Sequence, residues 1–209
     1  MTTRTLRASV LAAAEAIEAC RDELCRLDAA AGDGDHGVTM ALAARAVRQT
    51  LAASPDSSGA DLVTKLAMAI GSVGGAIGPI YATALLAIAG TLRALPTSQA
   101  LTVEQILACA EGAESAVSDL GHARPGDKTI LDALNPAVIA LRQASAAGRD
   151  LEVALSTAAA AARDGAASTA TMMASVGRAS RLGERSRGLA DPGASSFALI
   201  MDALVAPSG

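Results

Sequence analysis

Three carboxylates fall within eight residues of one another in the segment Leu27-Asp-Ala-Ala-Ala-Gly-Asp-Gly-Asp-His-Gly-Val-Thr-Met40, namely Asp28, Asp33 and Asp35. The interleaved glycines Gly32, Gly34 and Gly37 allow the backbone to turn all three inward. Like charges this close repel, so such a loop calls for a cation. Short aspartates with no cysteine in the segment suit a hard, oxygen-loving ion such as Mg²⁺ or Ca²⁺. The EF-hand spacing and its terminal glutamate are missing, which argues against a Ca²⁺ sensor. A bland alternative is a solvated loop whose last aspartate caps a helix. The pattern Asp-x₄-Asp-Gly-Asp-His-Gly at a break between apolar helices favours the metal. His36 stays open as an interior histidine, a ligand or a phosphate donor.

Three further polar segments interrupt the apolar pattern: Gly71–Pro79, Gly121–Thr129 and Gly177–Gly193. The run Gly71-Ser-Val-Gly-Gly-Ala-Ile-Gly-Pro79 offers a backbone that a ligand can approach closely. Gly121-His-Ala-Arg-Pro-Gly-Asp-Lys-Thr129 superficially resembles a phosphate-binding P-loop. It fails that test, because Asp127 intervenes before Lys128 and no strand precedes it, and it reads as a turn and helix cap. Arg178, Arg181, Arg185 and Arg187, with Glu184 and Asp191, read either as a solvated loop with weak surface ion pairs or as part of a functional site.

Positioning these segments falls to helices. The chain has 209 residues, about half of them apolar, yet no Trp, one Tyr (Tyr81) and one Phe (Phe197). Alanine dominates, and alanine favours helix over strand. That composition excludes disorder and an all-β domain, and two aromatics are too few for base stacking. A net charge of −4 argues against nucleic acid or an anionic membrane as partner. Cys20, Cys25 and Cys109 are an odd number without zinc spacing, which predicts reduced thiols and a cytoplasmic setting. The apolar run Ala8–Ala14 continues as an amphipathic helix, so it is not expected to be a signal peptide. No charge occurs between Lys65 and Arg93, but four glycines and a proline in the middle would break a membrane helix.

The periodicity predicts a first helix lined by Leu6, Val10, Ile17, Leu24 and Leu27, and a second lined by Met40, Val47 and Leu51. Others follow over about 60–70, 79–95, 102–121, 130–147, 151–176 and 193–205. Pro79 suits a first turn, Thr102 with Gln105 forms a capping box, Gly121 suits a stop, Pro136 kinks or starts its helix, and Gly165 weakens its own. Met172 and Met173 read as core. The expected architecture is all-α, a single domain over 1–209. In an antiparallel bundle alternate junctions share an end, so the polar segments are expected to cluster there, the last folding over the others.

Together these segments make the chain resemble the L subunit of dihydroxyacetone kinase, its nucleotide-binding half. The resemblance rests on Asp28–Met40, Ser72–Pro79, Gly126-Asp-Lys-Thr129 with Asp132-Ala-Leu134, and Gly177–Ser186 with Asp191-Pro-Gly193, in the family's order. It implies a barrel of eight antiparallel helices with a site for Mg²⁺ and ADP or ATP at one end. It implies two Mg²⁺ ions on Asp28, Asp33 and Asp35. Along the nucleotide it places His36, Gly37, Thr39, Ala76, Ile77, Gly121 and Ile130. Arg178 would reach the phosphates, and Asp191, Pro192 and Gly193 would close over the base. The implied partners are a ketose-binding K subunit and a phosphotransferase-system phosphoryl donor.

The chain departs from the family at Ile77, where serine is usual, at Ala82, where glycine is usual, and at Thr39, where asparagine is usual. Ile77 removes a hydroxyl, leaving phosphate binding there to backbone N–H groups. Two other readings compete. One is a nucleotide domain of the fatty-acid kinase type, which usually has threonine where His36 stands. The other is a non-catalytic helical module whose acidic loop binds a metal for a structural or regulatory role.

Overall fold

The computed structural model describes residues 3–95 and 100–205, and the boundaries expected at 1 and 209 lie outside them. Among the described residues there are nine α-helices: α1 Thr3–Ala19, α2 Arg21–Ala29, α3 His36–Ala53, α4 Gly59–Gly71, α5 Ile77–Arg93, α6 Val103–Gly121, α7 Leu131–Ala146, α8 Leu151–Ser168 and α9 Pro192–Val205. Two 3-10 segments, Thr169–Thr171 and Arg178–Ser186, lie between α8 and α9. Eight of the helices close into a ring, each packing on the next in the order α1, α3, α4, α5, α6, α7, α8, α9 and back to α1. Short α2 stands outside the ring against α3 and touches α9. This is the all-α barrel expected from the sequence.

The interior has two textures. Ile17, Met40, Leu51, Leu62, Leu66 and Ile70 bring α1, α3 and α4 together through branched and long side chains. Burying one such leucine contributes about 2 kcal/mol. On the other side, α7, α8 and α9 meet through Ala133, Ala137, Ala154, Ala158, Ala162 and Ala194. Each alanine buries little, so cohesion there comes from close approach of the helix backbones. Gly165 belongs to that seam: a Cβ at this position would overlap the Asp132 carbonyl oxygen. It serves the packing of α8 on α7, and α8 runs unbroken through it.

Several boundaries follow local signals. The Thr102–Gln105 capping box forms in both directions, and Ser58 and Asp150 cap α4 and α8. Others differ from expectation. The first predicted helix breaks at Cys20, whose ψ of 9° turns the chain into α2. The helix starting at Leu151 stops at Ser168, and Met173 is exposed, so it is not core. Helix α6 ends at Gly121, but His122 takes the left-handed cap. Pro136 lies inside α7.

Candidate functional site

The junctions α2–α3, α4–α5, α6–α7 and α8–α9 gather at one end of the barrel. Gly75 lies beside Thr39, with a Cβ position 3.8 Å from the threonine Cγ2, and Gly193 comes equally close to Ile130. Ser175 Oγ donates to Asp127 Oδ1 at 2.6 Å. Arg178 donates to Asp33, and its other terminal nitrogen is 3.8 Å from Asp35 Oδ1. The expected clustering of the four polar segments is therefore what the fold produces, with the α8–α9 connection lying over the acidic loop.

Asp28 sits in the last turn of α2, Asp33 in the connecting loop and Asp35 just before α3. Ligand oxygens of all three lie within 4.8 Å of one another. Asp28 Oδ2 accepts the main-chain N–H of His36 at 3.2 Å, so Asp28, not Asp35, serves the start of α3. Asp35 occupies the cap position without making a side-chain cap bond. Its carboxylate is directed to the cluster, which removes the bland reading of this residue as a helix cap. Burial and the neighbouring Asp33 charge push the Asp35 carboxyl above the usual carboxylate range. At Asp33 burial acts the same way but is outweighed, chiefly by the Arg178 hydrogen bond, and the carboxyl lies below that range. The donors are all carboxylate oxygens and about half exposed at Asp33 and Asp35, a set that fits a hard divalent cation.

The other expected site residues divide into those facing the opening and those turned inward. Ala76 and Gly121 are exposed, and Thr39 and Ile130 are half-buried on the rim. Ala76 precedes α5 without a side-chain cap, so the first N–H groups of α5 are not taken by a side chain, an arrangement that favours anions. Ile77 packs in the core beside Ile70, so its side chain belongs to the fold while its backbone opens α5. His36 is buried, and its Nε2 meets Ser196 Oγ of α9 at 3.1 Å. Burial depresses its pKa, opposed by Asp28. Gly37 is buried because α3 starts directly on α2: a Cβ there would overlap the Arg21 carbonyl oxygen.

Asp191 does not form the surface ion pair that its charge suggested. Its Oδ2 accepts the Ala194 N–H at 2.7 Å, capping α9, with Pro192 as the first residue of the helix. Burial pushes its carboxyl up to about 6. Glu184 pairs with Arg187 instead, at 2.7 Å.

The sequence singled out Asp132 and Lys128 within family-like segments, but not the partners they take. Asp132 Oδ1 and Oδ2 accept the N–H groups of Gly126 and Thr129 at 2.5 and 2.8 Å, tying the rim loop to α7. Lys128, buried, donates to the carbonyls of Met172, Ser186 and Leu189. The aspartate three residues after Thr129 was a readable capping signal. Nothing local marks the lysine's destination.

A helical barrel with an acidic cluster, an arginine and the uncapped start of α5 at one end has the groups of the class of proteins that bind metal-complexed anions. The DAK2 domain family matches residues 30–206. The ADP-binding subunit of the PEP-dependent dihydroxyacetone kinase of Escherichia coli (strain K12) is 39% identical over 182 residues, covering 87% of this chain and 85% of that subunit. The L-erythrulose kinase of Pectobacterium atrosepticum is 36% identical and covers 98% of this chain, which spans 36% of that longer enzyme. The crystal structure of the C. freundii dihydroxyacetone kinase in complex with AMP-PNP and Mg²⁺ superposes with a TM-score of 0.74 at 27% identity, covering 96% of this chain and 33% of that one. The chain belongs to the DAK2 domain family.

Proposed function

We propose that this chain is the nucleotide-binding subunit of a kinase for dihydroxyacetone or a related short ketose. Residues 1–209 act as one unit that holds ADP or ATP with Mg²⁺ at the open end of the barrel. The observation that carries the reading is the convergence of Asp28, Asp33 and Asp35 with Arg178, carboxylates that the fold brings together without spending Asp35 on a helix cap. The similar ADP-binding subunit and the similar AMP-PNP and Mg²⁺ complex support it.

In this reading Asp28, Asp33 and Asp35 hold two Mg²⁺ ions, which supply the charge neutralisation that phosphoryl transfer demands. The backbone at the starts of α3 and α5, from His36 to Thr39 and at Ala76 and Ile77, lines the phosphates. Gly121, Ile130, Asp191, Pro192 and Gly193 line the rest of the nucleotide. Arg178 turns from the aspartates toward the phosphates, where a planar guanidinium binds oxyanions well. The ketose sits on a separate K subunit docked at this end, and a phosphotransferase-system protein is the candidate donor for recharging ADP. The three free thiols suit a reducing compartment, the cytoplasm. No helix among the described residues is long and apolar enough to cross a membrane.

The test is an assay of the purified chain with Mg²⁺, ATP and either dihydroxyacetone or erythrulose, with and without its K subunit. The chain alone binds nucleotide and phosphorylates neither ketose, and the K subunit restores turnover. Ketose phosphorylation by the chain alone overturns the division of labour. Binding of a metal without any nucleotide would instead favour the non-catalytic module.

A further inference from the structure

Lys128 is 4% exposed. Its φ is +62°, in the left-handed region that residues with a Cβ rarely adopt. From there its ammonium donates to Met172 O at 3.2 Å, Ser186 O at 2.6 Å and Leu189 O at 2.6 Å. An ammonium has three donors, so all three are engaged and none is left for a phosphate. The three carbonyls come from one excursion of the chain, the connection between α8 and α9 that carries Arg178. Lesser ties close the same excursion. Ser186 Oγ accepts from Ala174 N at 3.0 Å, Gly188 N donates to Ala170 O at 2.7 Å, and Ser175 Oγ reaches Asp127. Lys128 is the charged centre around which these ties are arranged, and charged donors make the stronger hydrogen bonds.

We propose that Lys128 is a positioning residue for the phosphate end of the site: its ammonium gathers the 172–189 excursion so that Arg178 is held over Asp33 and Asp35. This rests on the nucleotide-binding reading above. Lys128 acts through Arg178 and does not touch the nucleotide, which separates it from the phosphate-binding lysine that the Gly126-Asp-Lys-Thr129 sequence superficially suggests. Holding the arm in advance reduces the ordering cost of closing it on a ligand.

The experiment is a double-mutant cycle in the full chain, with Mg²⁺-ADP affinity by calorimetry and tryptic cleavage after Arg178, Arg181, Arg185 and Arg187 as readouts. Lys128→Met is expected to weaken Mg²⁺-ADP binding about tenfold or more, a change of about 1.4 kcal/mol. It is also expected to speed cleavage in the excursion about tenfold, with the helical circular dichroism retained. Combined with Arg178→Met it is expected to be non-additive, the double variant binding within about threefold of Arg178→Met alone. Should Lys128→Met not fold, Lys128→Gly, which suits the positive φ, is read in the same way, and added n-butylammonium is expected to restore its resistance to trypsin. Multiplicative losses would mean that Lys128 contacts the ligand directly, and affinity and cleavage within about twofold of wild type would mean that it positions nothing; either overturns the proposal. If the wild-type chain binds no Mg²⁺-ADP, the site reading itself fails, and unchanged cleavage in Lys128→Met would still independently overturn the role of the lysine.

Discussion

Two groups of carboxylates and cations sit at the same end of this barrel, and they are used differently. Beneath the α8–α9 connection, Asp132, Asp191, Lys128 and Thr169 spend their polar atoms on the protein itself. Asp132 takes two N–H groups, Asp191 caps α9, Lys128 takes three carbonyls, and Thr169 Oγ1 accepts from Asp191 N at 2.8 Å. On the acidic loop, Asp33 and Asp35 are about half exposed, and they face each other and one exposed arginine. Buried polar groups must be satisfied internally, whereas exposed ones can exchange partners. The first group is therefore committed to the fold, and the second is open to a change of partner. Residue type alone does not separate them, because both consist of Asp with Lys or Arg.

The contrast breaks most sharply on the exposed side. Asp33→Asn and Asp35→Asn should each abolish Mg²⁺-dependent nucleotide binding, exceeding the roughly 10–100-fold that losing an outer-shell partner of a metal costs. Melting temperature should hold or rise in Asp35→Asn, where a repelled charge is removed, and hold or fall slightly in Asp33→Asn, which loses its ion pair with Arg178. Calorimetry and thermal melting check both, and unchanged affinity in both variants would remove the metal assignment.

On the buried side the largest signature is in pH. The Asp191 carboxyl is raised from 3.8 to about 6 in the folded chain, so the folded state holds its proton longer than the unfolded one. Its contribution to stability is full below about pH 4 and lost as pH rises through about 6, a swing of up to about 3 kcal/mol. His36, whose pKa is depressed by burial, works the other way as pH falls below the ordinary histidine value of 6.5. The quantity to measure is therefore the wild-type stability minus that of Asp191→Asn in urea unfolding at pH 4.5 and pH 7. The difference should shift toward the wild type at the lower pH. A difference independent of pH would show Asp191 to be solvated.

Gly37→Ala tests the seat of the acidic loop. A Cβ would overlap the Arg21 carbonyl oxygen and sit 2.8 Å from Cys25 N, so α3 must lift from α2. A loss of about 2 kcal/mol in stability is expected, with weakened Mg²⁺-ADP binding, since Asp35 and the start of α3 move together. The smallest effect on binding belongs to Ile77→Ser. Its side chain packs in the core while its backbone opens α5, so nucleotide affinity should change less than about tenfold, one hydrogen bond's worth. A far larger gain in affinity would mean that the missing hydroxyl had disabled the site.

The acidic cluster was legible in the sequence because its residues are adjacent in the chain and their chemistry is local. The capping box at Thr102 and the gathering of the four polar junctions were legible for similar reasons, from short-range signals and the alternation of an antiparallel bundle. What escaped depended on partners far along the chain. The imidazole of His36 goes to Ser196, 160 residues away, and Lys128 reaches carbonyls 44 to 61 residues away. Gly165 looked like a weak point because its reason, the Asp132 carbonyl, lies on another helix. The break at Cys20 has no side-chain cap to announce it.

The most direct test of the account is calorimetric titration of ADP into the purified chain, once with Mg²⁺ and once with EDTA, alongside Asp35→Asn. The account predicts saturable binding of one nucleotide per chain with Mg²⁺, lost in EDTA and lost in the variant. No binding with Mg²⁺, or equal binding in EDTA, would contradict it.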